Sequence, residues 1–249
     1  MYFTTAMTIL SVTWGSRLGL AMGFYEISTG LGMIVGPLMG GWLYSIGGFP
    51  LPFYVVGAMM LFGALINFFL VPKIETSEME SGSVLDVIKS PGILITSVMQ
   101  LITWSGMDFN IPFLEPLLSN SGITSNEVVV GILFMIMAVC YIVTSPIAGI
   151  ISDKYSSKGT MVFGNLMIGI SYAILGPAPC LNIGQATMKS VIISMVILGV
   201  GLSAAIVPSM ADMVSEGKKS GMSDTLGTEA IIGGYFNSIS KTLKKAMKL

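Results

Sequence analysis

Residues 19–44 read GLAMGFYEISTGLGMIVGPLMGGWLY, 26 positions with Glu26 as their sole charge. About 20 apolar residues carry an α-helix across the ~30 Å hydrocarbon core of a bilayer, so this stretch predicts a membrane span. Within it the spacing is Gly23-x8-Gly32-x3-Gly36-Pro37-x2-Gly40-Gly41. Gly32, Gly36 and Gly40 recur at every fourth residue, so they share one helix stripe and remove side chains where a neighbouring backbone must come close. Pro37 predicts a kink.

The same composition continues outward in both directions. The chain has 249 residues, 53% hydrophobic and 10% charged, against about 25% charged in soluble domains. A water-soluble globular domain is excluded. Uncharged runs long enough to cross are expected at about 18–46, 51–72, 91–118, 128–151, 160–181 and 190–213. An apolar stretch, 1–14, precedes them without a basic start or a small-residue cleavage pattern, and reads as the end of a membrane helix rather than a signal peptide. Beyond 213 the chain turns polar, then gives a weakly apolar run, 230–239, before Lys241, Lys244, Lys245 and Lys248. That run suits either an interfacial helix or the start of a further span.

Charge assigns sides and excludes classes. Taking alternate loops, seven of the basic residues (Arg17, Lys73, Lys89, Lys154, Lys158, Lys218 and Lys219) fall on one side, and Lys189 alone on the other. Lys and Arg resist translocation, which predicts a cytosolic position for the loop at Arg17, loop 73–90, loop 152–159 and the region after 213. A net charge of −1 offers no basic field for nucleic acid. The chain has no histidine, so zinc sites and histidine-dependent nucleophilic catalysis lack a required part. No catalytic residue, metal or cofactor is expected, and the chain is read as no enzyme. The cysteines, Cys140 and Cys180, lie in apolar segments and read as small buried hydrophobes.

Two motifs point to a family. The glycine spacing from Gly23 through Gly41 resembles the antiporter motif in the fifth helix of the major facilitator superfamily. Three spans later, Gly149-Ile-Ile-Ser-Asp153-Lys154-Tyr-Ser-Ser-Lys158-Gly159 is similar to that superfamily's cytoplasmic G-x-x-x-D-[RK]-x-G-[RK] loop between helices eight and nine. Ser156 stands where a glycine is usual, and the last basic residue comes one place late. Phe113-Leu114-Glu115-Pro116-Leu117 resembles the L-E-P segment of helix seven in the vesicular amine transporter branch, and Gly199-Val200-Gly201 through Pro208 its helix ten. Where the branch's monoamine carriers have an acid five residues before that proline, this chain has Ser203. The departure turns the expectation from monoamines toward polyamines or other organic cations.

The resemblance implies an all-α, polytopic membrane protein. It predicts an incomplete bundle of about six full transmembrane helices with partial helices at both ends, running from the end of helix four to the start of helix eleven. Residues 1–72 would belong to the N-terminal bundle, 73–90 to a cytoplasmic linker and 91–249 to the C-terminal bundle. The expected activity of the full-length parent is proton-coupled antiport of an organic cation in a vesicle, endomembrane or plasma membrane. The alternative is a truncated, non-transporting fragment that associates with a full-length homologue or is degraded. Glu115, Asp108 and Glu26 are the expected substrate or proton sites, because each sits in a span that has no Lys or Arg and an ionised carboxylate at mid-membrane costs about 2.5–3.5 kcal/mol. Asp108 and Glu115 are seven residues apart, hence on one helix face, with Pro112 and Pro116 bending the helix around them. Gly149, Asp153, Lys154 and Lys158 are expected to form a gate loop, with Asp153 pairing with a helix N-terminus or a lysine. Asp212, near the end of its span, reads as a surface residue reaching for water.

Overall fold

The structure is a computed structural model that describes residues 17–70, 89–124, 126–176 and 187–220, with scattered positions within 6–14 and 231–238. The 1–14 stretch beyond those positions, nearly all of the expected linker 73–90, Cys180 and the tail lysines lie outside the described residues. Six long helices follow one another: α1 (Leu18–Gly47), α2 (Pro50–Leu70), α3 (Pro91–Asn120), α4 (Glu127–Lys154), α5 (Ser157–Leu175) and α6 (Met188–Lys219). The described residues include no strand. Each expected span holds one of these helices, with 71–72 and 177–181 outside the described residues, and five of the six are long and apolar enough to cross a membrane. The exception is α3, whose apolar run is diluted by Thr96, Ser97, Gln100, Thr103, Asp108, Asn110 and Glu115.

Local chemistry sets the helix starts. The Asn126 side chain accepts from the Val128 N–H at 2.9 Å and opens α4, and Thr187 with Ser190 forms a capping box at α6. Ser156, the departure from the family loop pattern, is the N-cap of α5 and accepts from the Gly159 N–H at 3.2 Å. Hydroxyl caps of this kind contribute about 1 kcal/mol over alanine. The sixth helix runs past its expected end at 213 through Ser215 and Glu216 to Lys219.

In a bilayer both lipid and protein surfaces are apolar, so packing rather than the hydrophobic effect holds helices together. The long helix α6 is the centre, in contact with α1, α3, α4 and α5. Gly199 and Gly201, about 200° apart on the helix, let it approach two neighbours. A Cβ on Gly199 would strike the Met137 carbonyl of α4, and one on Gly201 would lie 2.9 Å from the Gly164 carbonyl of α5. Gly164 reciprocates, its Cβ position lying 2.5 Å from the Ala205 nitrogen. Around these contacts Leu114, Leu118, Leu133, Met195, Leu198 and Leu202 form one buried cluster. A second joins Leu18 and Met22 of α1 to Ile93, Met210, Met213 and the tail's Ile232. By contrast α2 lies mainly against α1, and its Phe68 and Phe69 are 82% and 80% exposed.

Candidate functional site

The site forms where α1, which precedes the expected linker 73–90, crosses α4, which follows it. Helix α1 begins at Leu18 without a side-chain cap of its own. Its first free amides are taken from 134 and 133 residues away: the Gly19 N–H donates to Asp153 Oδ1 at 2.8 Å and the Leu20 N–H to Oδ2 at 2.9 Å. A carboxylate there also meets the positive end of the helix dipole. Below this clasp the backbones nearly touch. A Cβ on Gly149 would overlap the Gly19 carbonyl, and one on Gly23 would lie 2.7 Å from the Ser145 carbonyl oxygen. Farther along, the Tyr141 hydroxyl of α4 donates to Glu26 Oε2 at 2.7 Å, with both residues buried.

Beyond Gly30 the two helices part. Among the described residues nothing lies within 4 Å of a Cβ built on Gly32, Gly36, Gly40 or Gly41, so the close contact expected of that stripe is made instead by Gly19, Gly23 and Gly30. Geometry gives the reason. At roughly 100° per residue, Gly32, Gly36 and Gly40 lie about 180°, 140° and 100° around the helix from Gly23, away from α4. Pro37 falls within α1. In the widening gap between α1, α3 and α4 lies a cavity of about 460 Å³, lined by Met33, Ile34 and Leu38 on one side and Met107, Ile111 and Ala138 among others across from them.

Among the described residues no hydrogen bond or ion pair brings the three expected acids together. Glu26 is committed to Tyr141. Asp108 is half-buried beside Met107 of the cavity wall, and its Oδ2 has no hydrogen-bond partner among the described residues. Glu115 is exposed near the far end of α3. In the expected gate loop Lys154 lies 5.5 Å from the Tyr155 ring centre, and Lys158 pairs with Glu216 of α6 at 2.9 Å. The described basic residues gather at this end through the alternation of the helices, except Lys189 at the start of α6.

A family model described as Major Facilitator Superfamily matches residues 1–222. The chain belongs to that superfamily. As a facilitator chain it is similar to the human MFS-type transporter SLC18B1, 29% identical over 242 residues that cover 95% of this chain and 52% of the relative. The mouse protein of that name is 28% identical, again over 52% of its length. Mouse synaptic vesicular amine transporter is 29% identical over 159 residues, 63% of this chain and 30% of that protein. The facilitator chain thus spans about half the length of the first two relatives. It is an integral membrane protein and belongs with non-enzymatic carriers.

Sequence reading missed Tyr141, whose acceptor is 115 residues away; nothing local marks a tyrosine in an apolar helix as a carboxylate's partner. It missed the hydroxyl pair Thr144–Ser203, 2.6 Å apart between α4 and α6. It also misjudged Asp212, which is 5% exposed and accepts a hydrogen bond from Thr96. The signal was available in the α3 pattern Thr96, Gln100, Thr103, a polar row at helical spacing.

Proposed function

We propose that the chain forms part of a proton-coupled antiporter that carries an organic cation, an amine or polyamine, by alternating access in a vesicle or related membrane. The observation that carries the reading is the α1/α4 crossing. One exposed carboxylate, Asp153, holds the first turn of α1, and one buried bond, Tyr141 to Glu26, lies deeper in the same seam. Both contacts join helices from the two sides of the linker segment, and both are polar bonds that can exchange protein for water partners when the helices part. The seam is closed at the basic end and gives way to the cavity toward the other, as expected for a carrier closed on one face. The glycine spacing, the gate-loop residues Gly149, Asp153, Lys154 and Lys158, and the names of the amine-carrying relatives support the same reading.

In this reading Glu115 and Asp108 attract the cation from the open side, while Glu26 holds or releases the coupling proton at the seam. The basic asymmetry supports a cytosolic position for the closed end. The test is uptake of amines and polyamines into proteoliposomes under an imposed pH gradient. Glu115→Gln in the full-length carrier should abolish gradient-driven uptake while leaving insertion intact, and uptake at the unmodified rate would remove Glu115 from the mechanism.

The open faces of α1 and α2 support a second reading, a fragment that docks on a full-length homologue. Reconstituted alone, this chain would then give no uptake, and it would co-purify with the full-length protein.

A further inference from the structure

The pairing of α3 with α6 draws attention to Asp212. The Ser90 and Ser220 hydroxyls lie 2.7 Å apart, Gly92 abuts the Glu216 carboxylate, and Thr96 donates to Asp212 Oδ2. Residue numbers fall on α6 as they rise on α3, so the next rung of this antiparallel register brings Gln100 level with Pro208. Gln100 is fully buried, and neither its Oε1 nor its Nε2 has a hydrogen-bond partner among the described residues. Pro208 has no N–H, which leaves the Ala204 carbonyl one turn earlier without its helical donor. Buried polar groups in such a position are ordinarily satisfied by an ordered water.

Thr96 adds the second observation. Its one hydroxyl proton has two acceptors within reach, Asp212 Oδ2 and the Gly92 carbonyl at 3.1 Å. With Asp212 ionised, Thr96 donates to the carboxylate. With Asp212 protonated, the carboxylic O–H donates to Thr96 Oγ1 and Thr96 turns its proton to Gly92. Both charge states are hydrogen-bonded without moving a helix.

We propose that Asp212, Thr96 and Gln100 form a proton-binding site inside the α3/α6 interface, with Gln100 holding the water that delivers the proton. A hydronium ion gives its proton to the Asp212 carboxylate, leaving water and a neutral acid; release reverses the step. The charged groups nearby are Glu216 and Lys219 on the same helix and Lys158 from α5, and both lysines pair with Glu216. Helix α3 contributes no charge between Pro91 and Met107, with Lys89 just before it. From α1 and α4, Glu26 and Asp153 are committed to Tyr141 and to the Gly19 and Leu20 amides, and Arg17 precedes α1; Tyr25 of α1 and Tyr235 of the tail pack against the same cluster. The site does not depend on which acid meets the substrate.

The test uses the 249-residue chain in lipid nanodiscs, titrated under infrared difference spectroscopy, and needs no transport. A protonated-carboxyl C=O band should be lost as pH rises, be missing in Asp212→Asn, and move in Thr96→Val and in Gln100→Leu. Thr96→Ser, which keeps the hydroxyl, should restore its position. If Asp212→Asn fails to fold, the valine and serine variants at Thr96 carry the test with the acid in place. An unchanged set of bands in Asp212→Asn, no titrating band in the unmodified chain, or a band unmoved by Gln100→Leu would each overturn the proposal. Failure of uptake with an intact titration would count against the transport reading alone.

Discussion

Glu26 is a carboxyl group in an apolar seam, and Tyr141 is what makes its burial tolerable. Removing the tyrosine hydroxyl leaves the acid with Thr29 as its remaining side-chain donor, and losing a hydrogen bond to a buried acid costs about 1–3 kcal/mol. Tyr141→Phe should therefore destabilise the chain by about that much. Glu26→Gln, which keeps an acceptor in place, should cost less. Because the two side chains share one bond, the double variant should fall short of the summed single effects by roughly 0.5 kcal/mol or more. Chemical denaturation in detergent micelles measures the cycle, and strict additivity would show that the bond contributes nothing. Asp153 is a residue-scale case of a different kind, since it is exposed but bonds two backbone amides. Asp153→Ala should fray the first turn of α1 at a cost of about 1 kcal/mol, seen as faster hydrogen exchange at Gly19 and Leu20. Unchanged protection at both amides would mean that solvent caps the helix as well as the carboxylate does.

At the level of elements, α1 carries two glycine faces with different tasks. One, through Gly19 and Gly23, lies against the α4 backbone; the other, through Gly32, Gly36 and Gly40, is open. Gly23→Leu forces a side chain into the Ser145–Pro146 backbone, and overpacking of this kind costs about 1–3 kcal/mol. A Cβ on Gly36 meets no atom within 4 Å among the described residues, so the effect of Gly36→Leu on stability should stay within about 0.5 kcal/mol. Thermal unfolding of the two variants side by side tests the assignment of faces, and equal destabilisation would show that Gly36 also has a close neighbour. In a full-length carrier the open stripe is the surface on which another helix would settle. There Gly36→Leu should impair turnover even though it spares this chain's stability.

For the molecule as a whole the decisive expectation is topology. The basic residues that decide orientation come from several separate loops rather than one, and in the structure the described ones gather at one end of the helices. The bias should therefore survive whatever precedes Leu18. Cysteines placed at Ser81 and Ser121, in a background with Cys140 and Cys180 replaced, should react with an impermeant thiol reagent from opposite sides of the membrane. Reaction of both from the same side would refute the span count and the orientation together.

Sequence alone determined the helical spans, the family and the end of each helix at which charge collects. These follow from the run length a bilayer demands and from motifs whose residues are near neighbours in the chain. Which face of each helix is inside was decided by the tertiary structure. A membrane helix is apolar toward lipid and protein alike, so periodicity carries little information about its partner. Gly23 and Gly36 look equivalent in the sequence, yet only the first meets a backbone. Asp212 has the position of a surface residue and is buried because Thr96, 116 residues away, is packed against it. Conversely Ser156, which breaks the family pattern as a string, caps α5 as a structure. Polar residues in an apolar medium take their roles from partners across the fold, and those partners are assigned only when the helices pack.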